Sequence, residues 1–186
     1  MKIQVGVSNR HVHLSHEDYK ILFKDTKMDI RNNLKQPGQF ASNLTVSIAG
    51  PKGVIENVRV LGPVRDYTQV EVSKTDAYKL GINPPVRDSG DLEGASLLTI
   101  ISPLEQIERE AGIIATRHIH INEEIRRQKN LVGIKEVSLK IEGEKGGIFE
   151  HVHLKDSKEA YFEVHLDTDD ANAFLLKNGE EVEIIL

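Results

Sequence analysis

Near its start the chain reads Asn9-Arg10-His11-Val12-His13-Leu14, and past its midpoint Thr116-Arg117-His118-Ile119-His120-Ile121. This recurrence constrains the fold before any other feature, because a sequence that repeats itself builds one supersecondary unit twice. In an extended segment residues two apart leave the backbone on the same face. Each Arg-His-x-His unit therefore presents two imidazoles side by side, the arrangement a metal ion needs.

The repeat continues beyond the two signatures. Residues 46–58 lie over residues 139–152, and both read as strand, turn rich in Gly and Lys, strand. Residues 70–77 lie over residues 164–171, which sets Glu71 on His165. Each half thus offers two histidines and one further ligand-type residue: His11, His13 and Glu71, then His118, His120 and His165. Both are three-ligand zinc patterns that leave a coordination position open. Parity supports the choice, since Glu71 alternates with Val70 and Val72, and His165 with Val164 and Leu166, so both side chains leave the apolar face.

At 186 residues the chain accommodates two small domains. The repeat divides it near residue 100, into a half spanning 1–100 and a half spanning 101–186, with strands free to exchange between them. A net charge of -5 argues against a general nucleic-acid binder. The absence of cysteine excludes disulfides, thiolate zinc sites and a catalytic thiol. No apolar run approaches the roughly 20 residues of a membrane helix, and the amino terminus leads directly into Ile3, Val5 and Val7 without a signal peptide. The expected location is the cytoplasm, with no membrane or nucleic-acid partner.

Residues 3–7 alternate as a half-buried strand, with a bulge or bend expected at Ser8-Asn9-Arg10. Ser15 with Asp18, and Asn122 with Glu123 and Glu124, open short helices after the paired histidines. Strands are expected at 45–49, 54–61 and 68–73, interrupted by Gly62-Pro63. A helix over 75–80 precedes an irregular loop at 83–91. Further strands fall at 96–101, 112–115, 137–141, 147–154, 161–166 and 181–186, with a helix over 168–176. This is a mainly β fold with short α-helices: two related small β-barrels from an internal repeat, capped by helices.

His16 falls in a first helical turn, and His151 and His153 on a solvated strand face, so none of the three joins the ligand set. Arg65 is different. The repeat sets it opposite Glu159, so the duplicated scaffold does not require it, and it lies six residues before Glu71 on a connection into the same strand. A guanidinium there could hold a phosphate or carboxylate in bidentate fashion; a surface ion pair with Asp66 is the plainer alternative.

The segments Ser8-Asn9-Arg10-His11-Val12-His13-Leu14, Gln36-Pro37-Gly38-Gln39-Phe40-Ala41, Leu61-Gly62-Pro63-Val64-Arg65, Gln69-Val70-Glu71, Ser89-Gly90-Asp91-Leu92, Arg117-His118-Ile119-His120 and the run from His165 to Asn172 resemble the PduL-type phosphotransacylases. These are phosphate propanoyltransferases, which exchange coenzyme A and phosphate on a short acyl group. The resemblance spans essentially the whole chain. It implies two β-barrel domains with a two-zinc site in the cleft between them, zinc on the same six residues that the repeat selects, and Arg65 as the phosphate-handling arginine. Ser8, Ser89 and Asn172 fall in matching motifs and are assigned supporting roles. The segment after the second signature, residues 121–130, departs from the family pattern. Members packaged in bacterial microcompartments carry an amphipathic amino-terminal extension, and only ten residues precede His11 here, so a free cytoplasmic enzyme is the expectation.

The implied reaction is acyl-CoA plus phosphate giving acyl phosphate plus CoA, by direct attack in a ternary complex without a protein nucleophile, with acetyl or propanoyl as the acyl group and a homo-oligomer as a possible assembly. Two other classes share these residues. A two-metal hydrolase would use the open positions to activate water, and a cupin-like metal-binding module would add Glu17 to His11 and His13.

Overall fold

A computed structural model describes residues 1–157 and 161–186. In chain order the described residues form β1 (Lys2–Ser8), β2 (His11–Ser15), α1 (His16–Phe23), β3 (Ile30–Asn33), β4 (Phe40–Gly50), β5 (Gly53–Arg65), β6 (Gln69–Glu71), α2 (Lys74–Leu80), β7 (Val86–Arg87), β8 (Ser96–Ile101), β9 (Gln106–Ala115), β10 (His118–Ile121), α3 (Glu123–Gln128), β11 (Glu136–Ile141), β12 (Gly147–Asp156), β13 (Glu163–Asp167), α4 (Thr168–Ala173) and β14 (Glu181–Ile185). Among them no helix is long and apolar enough to cross a membrane.

The chain divides into two compact units, Arg10–Ala115 and Met1–Asn9 with Thr116–Leu186. In the first, the order β4-β5-β2-β6-β9-β8 closes through β8 back onto β4, with β3 added to β4 and β7 to β9. In the second, β11-β12-β10-β13-β1-β14 forms a closed barrel. The pairings match one for one around each six-stranded ring: antiparallel, parallel, antiparallel, parallel, antiparallel, antiparallel.

The sequence copies and the barrels are not the same sets of strands. One copy runs from β1 to β8 and the other from β9 to β14, yet β1 pairs with β13 and β14 while β9 pairs with β6 and β8. Each copy lends its first strand to the barrel built by the other. The edges of β2 and β10 are already taken by β5 with β6 and by β12 with β13, so the strand just before each signature has no place beside it. The bend expected at Ser8-Asn9-Arg10 is where the chain passes from one unit to the other, and a division at residue 100 separates the copies but not the units.

Each barrel closes on its own apolar core. Val12, Leu14, Val46, Ile48, Val60, Val70 and Ile100 fill the first; Val5, Ile119, Ile121, Leu139, Val152, Val164 and Ile184 fill the second. Burying a Val or Ile side chain contributes about 1.5–3 kcal/mol, which fixes the register: a slip by one residue would exchange Val12 with His13 and Val70 with Glu71. The core residues thereby dictate that the histidines leave the opposite face.

All four strands that bear the candidate ligands end in the same way. Two residues after the last candidate ligand a capping side chain accepts a backbone N–H and starts a helix: Ser15 from Asp18, Ser73 from Asp76, Asn122 from Ile125 and Asp167 from Asp170. At Ser73 the box is reciprocal, with the Asp76 carboxylate accepting from the Ser73 N–H.

Three local expectations change. Gly62-Pro63 does not interrupt a strand; β5 continues to Arg65 through a bulge, since His13 lies opposite Leu61 but Ser15 opposite Arg65. Within residues 83–91, Val86 and Arg87 form β7, parallel to Ile114 and Ala115. The hairpin turn is also longer in the second copy, which closes with Ile141 opposite Gly147 where the first closes with Gly50 opposite Gly53. Val137, not Leu139, therefore occupies the place of Val46, facing Val152 as Val46 faces Val58.

Candidate metal centres

In the first barrel β2 and β6 run antiparallel with His11 opposite Glu71 and His13 opposite Gln69. The donor atoms of His11, His13 and Glu71 all lie within 4.8 Å of one another. His11 Nε2 is 3.4 Å from Glu71 Oε2, and the two imidazoles meet edge to face at 5.0 Å. His13 is only 3% exposed. Gln69, on the fourth corner, donates from Nε2 to Glu71 Oε1 at 2.7 Å and to Ser89 Oγ at 2.9 Å, and its Oε1 accepts the Gly90 N–H. The carboxylate is thus held with one oxygen toward His11 and the other toward the amide.

The second barrel repeats the arrangement on β10 and β13, with His118 opposite His165 and His120 opposite Glu163. The donor atoms of His118, His120 and His165 also lie within 4.8 Å of one another. His118 Nδ1 donates to the Thr116 carbonyl at 2.8 Å, which places the proton on Nδ1 and leaves the Nε2 lone pair for a ligand. That lone pair faces His120 Nε2 at 3.2 Å. Burial, and then the neighbouring His118, His165 and Lys155, push His120 down to about 3, against a smaller opposite effect of Glu163. His120 is therefore a neutral imidazole at ordinary pH, as a metal ligand must be.

The arginine of each signature has a structural partner. Arg10 Nε donates to Asp76 Oδ1 at 2.8 Å. Arg117 grips Asp170 with two bonds, 3.0 Å from Nε and 2.9 Å from Nη2. Asp76 and Asp170 sit at the third position of the helices that follow Glu71 and His165, so each pair ties the two-histidine strand to the strand bearing the third candidate ligand. This function is absent from the ligand patterns, although the repeat carries its signal, because Arg10 aligns with Arg117 and Asp76 with Asp170.

Arg65 belongs to the first barrel, and the bulge in β5 aims it. Its Nη1 donates to Tyr67 Oη at 3.1 Å and Ser89 Oγ at 3.3 Å, and its Nη2 to Gln39 Oε1 at 3.4 Å. Through Ser89 and Gln69 it is linked to Glu71. Glu159, which the repeat sets opposite Arg65, lies outside the described residues. Ser8 ends β1 opposite Asp167, two positions beyond Gly6, which faces His165. Asn172 is exposed on α4. His151 and His153 reach Glu136 at 3.1 and 3.3 Å, and His16 starts α1. Glu17 is exposed on that helix and does not join His11 and His13 in the ligand cluster, which removes the cupin-like reading.

Two residues near the second centre are unforeseen. Glu163 is 5% exposed, and its Oε2 lies 3.3 Å from His165 Nε2. Tyr161 donates its hydroxyl proton to Glu163 Oε2 and lies 3.0 Å from His165 Nε2. Burial, then the hydrogen bond and charge of Glu163, raise the tyrosine well above its usual range, so the hydroxyl keeps its proton. The pairing of His120 with Glu163 is readable only once the register is known.

Both clusters could hold a metal ion, and the spacing known for zinc gives a measure for their edges. Bonds of roughly 2.0–2.1 Å in a tetrahedron put two ligand atoms about 3.3 Å apart. The separations of 3.4 Å between His11 and Glu71 and 3.2 Å between His118 and His120 correspond to such edges.

A family model described as phosphate propanoyltransferase matches residues 4–177. A phosphate propanoyltransferase of Thermotoga maritima is 49% identical over 98% of this chain and 89% of the relative. One from Rhodopseudomonas palustris is 43% identical over 98% of this chain and 82% of its own. One from Salmonella typhimurium is 44% identical over 92% of this chain and 82% of its own.

Proposed function

The chain belongs to the phosphate propanoyltransferase family, and from that premise we propose that it exchanges phosphate and coenzyme A on a short acyl group, with one zinc ion held by His11, His13 and Glu71 and a second by His118, His120 and His165. The observation that carries this reading is the pair of three-donor clusters, each gathered within 4.8 Å, in a chain whose family acts on acyl and phosphate groups.

The reaction brings anionic phosphate to a thioester carbonyl, so like charges must be neutralised before attack. Bound zinc supplies Lewis acidity toward phosphate and carbonyl oxygens and favours ionisation of the CoA thiol. Arg65 contributes a fixed cation whose plane is set by Tyr67, Ser89 and Gln39; such a fork holds a phosphate in one orientation. Ser89 also accepts from Gln69, which in turn orients Glu71. The guanidinium and the first ligand set are thereby aligned without reorganisation during the reaction. Arg65, Ser89 and the six ligands carry the site, while Ser8 and Asn172 keep supporting roles. The chain itself supplies no thiol nucleophile, in accord with direct transfer between phosphate and acyl-CoA.

Zinc content and phosphate-dependent CoA release from acetyl-CoA and propanoyl-CoA test the reading together. Two zinc ions per chain and CoA release only with phosphate are expected. Release of free acid without phosphate would make the protein a two-metal hydrolase instead, and a chain that binds no metal would overturn the proposal.

A further inference from the structure

We infer that His165 meets its metal through Nδ1, the reverse of His118, and that Glu163 and Tyr161 are positioning residues that fix this tautomer from outside the ligand triad. The inference rests on the metal reading above. It adds no ligand, so the coordination position that the reaction needs stays open.

Hydrogen-bond accounting decides the tautomer. A tyrosine hydroxyl carries one proton, and that of Tyr161 goes to Glu163 Oε2. Toward His165 Nε2, 3.0 Å away, the phenol oxygen can therefore only accept. Glu163 Oε2, which already takes the phenol proton, is an acceptor as well and lies 3.3 Å from the same nitrogen. Two acceptors facing one nitrogen require a proton on it. A neutral imidazole has a single N–H, so the lone pair of His165 is on Nδ1.

The fold aims that lone pair at the cluster. Strand β13 lies between β1 and β10, with Gly6 beside His165 on one side and His118 on the other. A Cβ on Gly6 would stand 3.0 Å from His165 Cδ2 and 2.7 Å from Glu163 Oε2, so the Cδ2 edge of the ring and the carboxylate both face β1. Cδ2 and Nδ1 flank Cγ on opposite sides, and Nδ1 is thereby turned toward β10, which carries His118 and His120. The strand lent by the other copy must be bare at Gly6 for this to fit; in the first barrel the residue beside Glu71 is Ile113. His118 is held the other way round, with Nδ1 donating to the Thr116 carbonyl and Nε2 left for the ligand bond. A carboxylate behind a ligating histidine fixes the ring and raises its basicity. The third imidazole is thus braced without filling a place on the metal.

Proton–nitrogen correlation spectra of the zinc-loaded, full-length chain with isotope-labelled histidine show which nitrogen of each imidazole carries the proton, and His165→Gln identifies the signals of His165. A proton on Nε2 and zinc on Nδ1 are expected. Zinc on Nε2 of His165 would overturn the inference. In competition with a chromogenic chelator, wild type should hold two ions, and Glu163→Ala should keep one at wild-type affinity and release the other roughly 10- to 100-fold more readily. Glu163→Gln, whose amide oxygen still accepts from Nε2–H, should recover part of that loss. Unchanged affinity in Glu163→Ala, or a loss in Glu163→Gln as large as in Glu163→Ala, would remove the positioning role. A wild-type chain with no zinc at the second centre would overturn the metal reading itself, a result distinct from these.

Discussion

The two barrels share strand order, pairing directions, helix caps and an arginine–aspartate tie, but the residues around their histidine pairs are connected differently. In the first, Gln69 binds Glu71 on one side and Ser89 on the other, and Ser89 leads to Arg65. In the second, Glu163 and His165 meet Tyr161, and Lys155 lies opposite His120 on the neighbouring strand. Duplication supplied two equal frames for ligands. The first has gained a cationic arm suited to an anionic substrate, and the second a tyrosine–carboxylate pair beside its third histidine. Equal geometry need not mean equal duty.

The largest effects should come from the ligands themselves. His13→Ala and His120→Ala should each lower bound zinc from two ions to about one. Lewis-acid stabilisation worth several kcal/mol corresponds to a fall of about a thousandfold in turnover for either variant. Metal analysis after gel filtration checks the stoichiometry. Full occupancy in both variants would break the equivalence of the two clusters at its root.

Arg65→Ala comes next. It should keep both metals and lose about 10²- to 10³-fold in kcat/KM for phosphate-dependent CoA release. Arg65→Lys should recover little, since an ammonium cannot reproduce the fork held by Tyr67, Ser89 and Gln39. A normal rate in Arg65→Ala would make the first barrel's extra network structural.

A smaller effect distinguishes the two ties. The Asp76 side chain is 5% exposed and that of Asp170 is 18% exposed. Removing the partner of a buried carboxylate costs about 3–5 kcal/mol, and of a more exposed one less. Arg10→Ala should therefore lower the urea midpoint of the metal-free protein more than Arg117→Ala. The reverse order would show that the double hydrogen bond of Arg117 outweighs burial.

Much of this was legible from residue spacing because two periodicities coincide. Val12 and Leu14, like Ile119 and Ile121, are fixed inward by burial, so alternation alone sends the histidines outward, and the repeat then selects Glu71 and His165 from the alternating strands. The helix caps at Ser15 and Asn122 were visible for the same local reason. Strand exchange was not visible in detail, because nothing in the residues of β1 states which barrel will accept it. Nor was the offset between the two hairpins, where the Lys and Gly residues of both turns invite an alignment that the register corrects by two residues. Glu163 was hidden because its place beside the second cluster is set by a cross-strand register with His120, far away in sequence.

The smallest difference concerns the helix caps. Ser73 and Asn122 each start a helix two residues after a ligand, and loss of a cap costs about 0.5–2 kcal/mol. The helix after Ser73 buries Asp76, Ala77 and Leu80, its box is reciprocal, and Asp76 also accepts from Arg10. The helix after Asn122 buries none of its residues. Ser73→Ala therefore disturbs a packed element tied to the first ligand set, whereas Asn122→Ala frays a solvated one. Thermal melts of the metal-free chain should place Ser73→Ala near the upper end of that range and Asn122→Ala near the lower. Zinc competition should show a weakened first centre in Ser73→Ala and no change in Asn122→Ala. Equal shifts in both measurements would mean that cap and ligand are coupled through the strand alone, and that the packed helix of the first barrel adds nothing to its metal centre.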